Sequence, residues 1–371
     1  MKILHKTPSV LMLSVRACET LAILFALGLA RLPRSGTARG RTDREVSLID
    51  RLADMTMAPC LERLHFVKVT VREMREVEAV AGTQSSGQGH ETTFAQVLAD
   101  RLGIAPEEVK LVTGDTAIVP AGGGTHSDRS MRLAGTLLVE ASEQIIAQAR
   151  RVYAALAGCA AEEAAFADGF FVSPRSNLRL DIFDIARAIA SEPALAPEQR
   201  APLAGEARFT GRIPAYPTGA AVCEVEIDPD TGAVSLARYS SVDDCGQPIN
   251  PMILHGQVHG GITQGAGQAL CEAVLHDSSG QVLSGSFMDY AIPRADMVPS
   301  FDVALAEDPT KGNPLRIKGG GEAGITPALA AVVNAIVDAL SVHGIEHLDM
   351  PATPSRVWAA IQAAARQAKG D

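Results

Sequence analysis

A lone carboxylate stands on a glycine run, Lys318-Gly319-Gly320-Gly321-Glu322-Ala323-Gly324, just before an apolar helical pattern. Burial raises a carboxyl's proton affinity, so a glutamate directed from such a loop into a cleft is a candidate general base. The plainer alternative for Glu322 is a first-turn acid that favours the dipole of the following helix. A second run, Gly87-Gln88-Gly89-His90, also opens a helix. Glycines there let a ligand approach the backbone, and the helix start offers free N–H groups to an anion such as phosphate. The alternative is an ordinary tight turn. In the third cluster, Gly122 to Ser130, the residues Thr125, Ser127, Arg129 and Ser130 offer hydroxyls and a guanidinium to an anion, with Asp128 opposing it. A simple helix cap explains Ser127 or Asp128 as well. Last, the helical pattern over 251–270 carries Gly256, Gly260, Gly261, Gly265 and Gly267. At about 1 kcal/mol each these glycines are costly, so something must come close to the backbone, either a packed helix or a ring-bearing cofactor. His255 and His259 lie one turn apart, but Gly256 stands where a zinc-binding HExxH would have its carboxylate, so zinc is not expected.

The elements that position these residues follow from periodicity. Alternation over 65–71 and 77–80 predicts a strand pair running into the first glycine loop, and a helix follows over 91–102 with Gly103 as its stop. A strand at 109–113, the second glycine loop and a long helix over 127–156 repeat that order. Residues 173–218 read as Pro-rich and irregular apart from a helix at 182–191. A hairpin at 220–227 and 233–242 turns through Asp228-Pro229-Asp230-Thr231-Gly232. Beyond it are expected the 251–270 helix, a second hairpin around 278–280, a strand at 301–306, a helix at 327–340 and a last helix capped by Thr353. The fold class is therefore α+β, a mixed α/β arrangement with helices packed on mixed sheets. Its expected parts are an unmatched segment at 1–60, a first α/β subdomain at 61–200 and a second at 201–371 carrying Glu322.

Composition narrows the function. The 371 residues carry a net charge of −10, which argues against a nucleic-acid partner. The first 58 residues hold nine Lys/Arg and five Asp/Glu, a local +4 that leaves −14 for the rest, so this basic stretch is expected outside the main fold. Six cysteines show no CxxC or iron–sulfur spacing, so no cluster of the chain's own and a cytoplasmic location are expected. The apolar run at 21–30 is too short to span a membrane, and would indicate the periplasm only as part of a signal segment.

Residues 82–94, Gly114-Asp115-Thr116, 125–130, Asp244-Cys245-Gly246, Ile249-Asn250-Pro251, Gly256-Gln257-Val258-His259-Gly260-Gly261 and 318–324 stand in an order that resembles the molybdopterin-binding subunit of the xanthine dehydrogenase, aldehyde oxidase and aerobic carbon monoxide dehydrogenase family. The likeness runs from about residue 64 to 371 and covers the C-terminal portion of that subunit. It implies a molybdenum-dependent oxidoreductase that hydroxylates an electron-poor carbon of an aldehyde, N-heterocycle or carbon monoxide with water-derived oxygen, Glu322 being the base. The implied cofactor is molybdenum-molybdopterin, in its cytosine dinucleotide form. Gly87, Gln88, Gly89, His90, Thr125, Ser127, Arg129, Ser130, Cys245, Gln257, Lys318, Gly320 and Gly321 would contact it, with no protein side chain ligating the metal. Implied partners are an iron–sulfur subunit, an FAD subunit, a polypeptide supplying the family's front half with its GGGFGGK-like motif, and a small-molecule substrate. The family's pattern has Gly or Ala then Ser before Arg129, where this chain has Ser127 and Asp128. The competing reading is an inactive fragment with an assembly role.

Overall fold

The computed structural model describes residues 65–369 except 212 and 214, together with two strand segments, β1 (Ile3–Leu4) and β2 (Ser9–Ser14). The described residues form two compact units, one of residues 65–215 with 310–317, the other of 216–309 and 318–369 with β1 and β2.

In the first unit, β3 (His65–Arg72) and β4 (Glu76–Ala81) pair antiparallel, with Val67, Val69, Val71, Val77, Ala79 and Ala81 buried at alternate positions. Helix α1 (His90–Leu102) starts after Gly89 and stops at Gly103, both left-handed, and strand β5 (Val109–Val112) then returns parallel to β4. The next helix enters through a wide π turn at Ser130–Gly135 before settling into α2 (Thr136–Ala157). Its buried stripe of Leu138, Ala141, Ile145, Ala149 and Val152 keeps helical spacing. Strands β6 (Ala165–Ala167), β7 (Phe170–Ser173) and β8 (Ser176–Asp181) form a small meander, followed by α3 (Ile182–Ser191), which Asp181 caps by accepting from the Asp184 N–H. Strand β9 (Ala204–Phe209) completes the order β5-β4-β3-β9. Its Gly205 sits where a Cβ would lie 2.1 Å from the Ala141 carbonyl oxygen, so sheet and helix meet at backbone distance. Residues 310–317 pack here too, with Leu315 near Gly135 and Asn313 closing the loop by hydrogen bonds to Ile317.

In the second unit, β10 (Thr218–Ile227) and β11 (Val234–Asp244) form the long hairpin. Helix α4 (Pro251–Leu270) is capped by Asn250 Oδ1, which accepts from the Ile253 N–H at 3.0 Å. Strand β12 (Asp302–Ala306) runs parallel to β11, and helices α5 (Ile325–Leu340) and α6 (Pro354–Lys369) follow. Helix α5 is long and apolar enough by composition to cross a membrane. Its Ala328, Ala331, Val332, Ala335, Ile336, Ala339 and Leu340 are instead buried in one core with Val258, Ile262 and Ala266 of α4 and Ala221, Cys223 and Val225 of β10.

Four expectations change. Strands β1 and β2 pair with β10, so part of the first 60 residues joins the sheet, while the runs at 21–30 and 31–44 lie outside the described residues. Residues 173–218 are not irregular, since β8 and β9 lie within them. Strand β9 reads Ala-Gly-Glu-Ala-Arg-Phe, whose inward Gly205 and Ala207 give almost no hydrophobic alternation. Because β9 pairs with β3, the first unit extends to residue 215 rather than 200. The second hairpin shrinks to one bridge between His276 and Val282.

The α4 glycines divide into two kinds. A Cβ on Gly261 would lie 2.7 Å from the Ile325 nitrogen, and one on Gly265 would lie 2.6 Å from the Ala328 Cβ; one on Gly256 meets nothing within 4 Å. Packed helices, not a ring, account for the first two. Gly261→Val should therefore destabilise the chain by about 1–3 kcal/mol through overpacking, whereas Gly256→Ala should stabilise it by about 0.5–1 kcal/mol through helix propensity. Urea denaturation of both variants checks the contrast, and equal losses would count against this packing account.

Candidate functional site

The Glu322 loop is held at three points. Lys318 Nζ lies 2.5 Å from Asp244 Oδ2 at the end of β11 and 2.9 Å from Asp308 Oδ2, and its backbone N–H donates to the Cys245 carbonyl at 2.8 Å. Burial pushes the Asp244 carboxyl up, but Lys318 and the Gly246 and Asp308 N–H groups outweigh it and hold the group below its usual range. Lys318 is correspondingly raised against its own desolvation. The second point is Gly320, where a Cβ would sit 2.5 Å from Leu254 Cδ1 and 3.4 Å from the buried Cys245 Sγ, so the loop passes closely over α4. The third is Gln257, which donates its amide to the Gly321 carbonyl at 2.8 Å. Glu322 follows directly, and its carbonyl accepts from the Thr326 N–H as α5 begins. Gln257 and Lys318 thus act on the loop that presents Glu322.

Beneath this turn lies a cavity of about 20 Å³ lined by Thr218, Gly219, Asp243, Ala323 and Thr326, room for about one water. Burial pushes the Asp243 carboxyl up, against the Ser241 hydroxyl that donates to it at 2.8 Å.

In the first unit the two glycine loops meet. A Cβ on Gly82 would fall 2.2 Å from the Ala121 carbonyl oxygen, and the Gly82 carbonyl accepts from Gly123 and Gly124. A hydroxyl cluster joins them: Thr83 Oγ1 lies 2.6 Å from Ser130 Oγ and 2.8 Å from Thr125 Oγ1, and Thr125 donates to the Gln84 carbonyl. Arg129 is buried with its guanidinium over Gly123 and Nη1 2.9 Å from His126 Nε2. Ser127 and Asp128 both adopt left-handed backbone, with φ of 51° and 56°, and the Ser127 carbonyl accepts from Arg132. Gln88 Oε1 accepts from the Ser86 N–H at 2.6 Å. Gly89 provides no side-chain cap for α1, and His90 is buried with its ring stacked on Phe94 at 5.0 Å.

The sequence expectations therefore fall into two groups by unit. Cys245, Gln257, Lys318, Gly320, Gly321 and Glu322 come together in one, and Gly87, Gln88, Gly89, His90, Thr125, Ser127, Arg129 and Ser130 in the other. Lys318 and His90 spend their polar or aromatic groups inside the protein. Residues missed were Thr83, His65, His126, Asp244 and Asp308; Thr83 stood inside the first glycine run and was its only legible signal. The pair His255 and His259 gathers no third ligand, and among the described residues no cluster of three metal-binding side chains exists.

The donor set suits a ligand rich in phosphate and carbonyl acceptors. Around the loops stand hydroxyls, a guanidinium and the uncapped start of α1, and beyond the Cβ positions of Gly87 (φ 111°) and Gly124 (φ 73°) the space is open. An α+β scaffold with two such loops and a loop-borne glutamate defines a cofactor-binding domain of the redox-enzyme kind. Residues 51–299 match the molybdopterin cofactor-binding domain family, and the chain belongs to it.

Among relatives, the chain is 35% identical to the 6-hydroxypseudooxynicotine dehydrogenase complex subunit gamma of Paenarthrobacter nicotinovorans over 79% of its own length and 37% of that protein. It is 34% identical to the carbon monoxide dehydrogenase large chain of Hydrogenophaga pseudoflava over 76% and 35%. Among solved structures it resembles carbon monoxide dehydrogenase from Oligotropha carboxidovorans with a TM-score of 0.74 at 30% identity, over 82% of this chain and 38% of that one. The likeness to quinoline 2-oxidoreductase from Pseudomonas putida 86 has a TM-score of 0.71, also at 30% identity, over 81% and 38%. The chain thus spans little more than a third of the proteins it matches.

His65 yields a prediction. It is buried, and burial first, then the charges of Arg129 and His126, lower its pKa to about 4. The unfolded chain takes up a proton near 6.5 and the folded one does not, so this stability is present above pH 6.5 and lost as pH falls towards 4. The loss attributable to His65 is on the order of 2–3 kcal/mol. In denaturation at pH 7.5 and 4.5, His65→Leu should show a pH-dependent loss smaller than that of the unaltered chain by this amount. An equal loss in both would refute it.

Proposed function

We propose that this chain is the molybdopterin-binding portion of a molybdenum hydroxylase, an oxidoreductase acting on an electron-poor carbon of an aldehyde, N-heterocycle or carbon monoxide. The observation that carries the reading is the Glu322 loop, pinned by Lys318 to Asp244, by Gln257 to Gly321 and by close approach at Gly320. Such anchoring holds a proton-accepting oxygen in place, which a general base requires. The molybdenum cofactor, when bound, supplies the activated water-derived oxygen and accepts the electrons. Glu322 takes the proton released as that oxygen adds to carbon. Thr83, Thr125, Ser130 and Arg129, with the backbone at Gly87–Gly89 and the start of α1, would hold the cofactor's phosphate and pterin groups; the cytosine dinucleotide form is part of this proposal.

The matched relatives are about three times longer, so the remaining length comes from further polypeptide, either continuous with this chain or separate. Iron–sulfur and FAD subunits would take the electrons onward, because the cysteines have no cluster spacing. A cytoplasmic location goes with this reading, supported by the four described cysteines being reduced thiols.

The test is Glu322→Gln in the chain assembled with the remaining large-subunit polypeptide and its redox partners. Glutamine keeps the volume but takes no proton, so turnover should fall by about 10²–10⁴-fold while molybdopterin content stays within about a quarter of normal. Activity within about threefold of the unaltered protein, at equal molybdenum content, would refute the assignment.

A further inference from the structure

The segment that follows α4 turns large apolar side chains to solvent. Phe287 is 91% exposed and Met288 93%, and Val274, Leu275, Leu283 and Ile292 are each about half exposed or more. Soluble chains rarely gather so many large apolar groups on one exposed segment unless something covers them. Nor is this segment loosely held. Cys271 Sγ donates to the Ala291 carbonyl, Pro293 packs at Gly267 of α4, and Leu283 donates its N–H to the Leu275 carbonyl at 2.8 Å. Asp277 closes the tip by accepting from the N–H groups of Ser279 and Gln281. Buried Ser284 donates to nothing outside the segment; its hydroxyl accepts from the Leu275 N–H at 2.9 Å. The backbone is therefore ordered by its own polar groups while the apolar side chains point away, which lowers the entropy lost when a partner binds.

We propose that this face, centred on Phe287 and Met288, docks the polypeptide that supplies the rest of the molybdopterin-binding subunit. The proposal rests on the function proposed above. Two observations select this occupant. The chain accounts for only 35–37% of the relatives it matches, so a larger mass of the same subunit must bury itself against this part. The rim is acidic, with Glu272, Asp277, Asp289 and Asp296 against Arg294, so the complementary surface is an apolar one edged by basic residues. A second copy of this chain would set acidic rim against acidic rim.

The experiment pairs the full chain with a purified probe, the part of the Hydrogenophaga pseudoflava carbon monoxide dehydrogenase large chain that lies outside its matched 35%. Binding is read by titration and assembly by sedimentation. Phe287→Ser combined with Met288→Ser should weaken binding by roughly tenfold or more, and Val342→Ser, an exposed apolar position elsewhere in the same unit, should leave it unchanged. Circular dichroism of the double variant, whose two side chains are exposed, should match that of the unaltered chain. No binding by the unaltered chain, or equal binding by the double variant, overturns the proposal. So does a dimer of the chain alone that the double variant abolishes, because the occupant is then a second copy. A complex that depends on Phe287 and Met288 yet takes up no molybdopterin would fail the proposed function and leave the docking face standing; a molybdopterin-loaded complex indifferent to both residues would do the reverse.

Discussion

Helices α4 and α5 touch at backbone distance, and the position of Glu322 depends on it. A Cβ on Gly324 would lie 2.2 Å from the Val258 carbonyl oxygen, just as Gly261 and Gly265 admit Ile325 and Ala328. Any larger residue at these points would push α5 outwards, and the turn from Gly321 to Gly324 would move with it. The glycines of α4, costly to helix propensity, are offset by the burial of Val258, Ile262 and Ala266 against Ala328, Val332 and Ala335. Close packing here is what turns a flexible glycine run into a fixed support for a carboxylate.

Electrostatics finish what packing begins. Lys318 and Asp244 are both largely buried, and removing either would leave the other charged in a poor solvent. Asp308 adds a second carboxylate from the exposed side, so the ammonium is doubly paired at the root of the loop. In the other unit the same logic runs through neutral groups. Three hydroxyls share hydrogen bonds around Thr83, and the Arg129 charge sits near a histidine that burial keeps neutral. A ligand with many oxygen acceptors meets donors already in place there, which is the preorganisation that cofactor binding requires.

Much of the fold was legible in the sequence. The hairpin of β10 and β11, the extent of α3 and α4, and the Gly103 and Gly158 stops follow from alternation, helical spacing and left-handed glycine caps. Strand β9 was not legible because Gly205 and Ala207 bury too little side chain to mark a period. The first unit's boundary was missed for the same reason, and the return of residues 310–317 to that unit has no local signature at all.

For the site, the sequence by itself determined which residue types were present and where glycine permits close approach: Glu322 on its loop, the Gly87–Gly89 turn, and the hydroxyls of Thr125 and Ser130. Only the tertiary structure decided what each of them does. Lys318 became an anchor because Asp244, 74 residues away, ends a strand beside it. Gln257 became a support because α4 runs under Gly321. His90 turned into the core and Thr83 became the centre of a hydroxyl cluster. The physical reason is that local pattern reports backbone preference and burial period, whereas a hydrogen bond's partner is chosen by which distant segments close packing brings within about 3 Å.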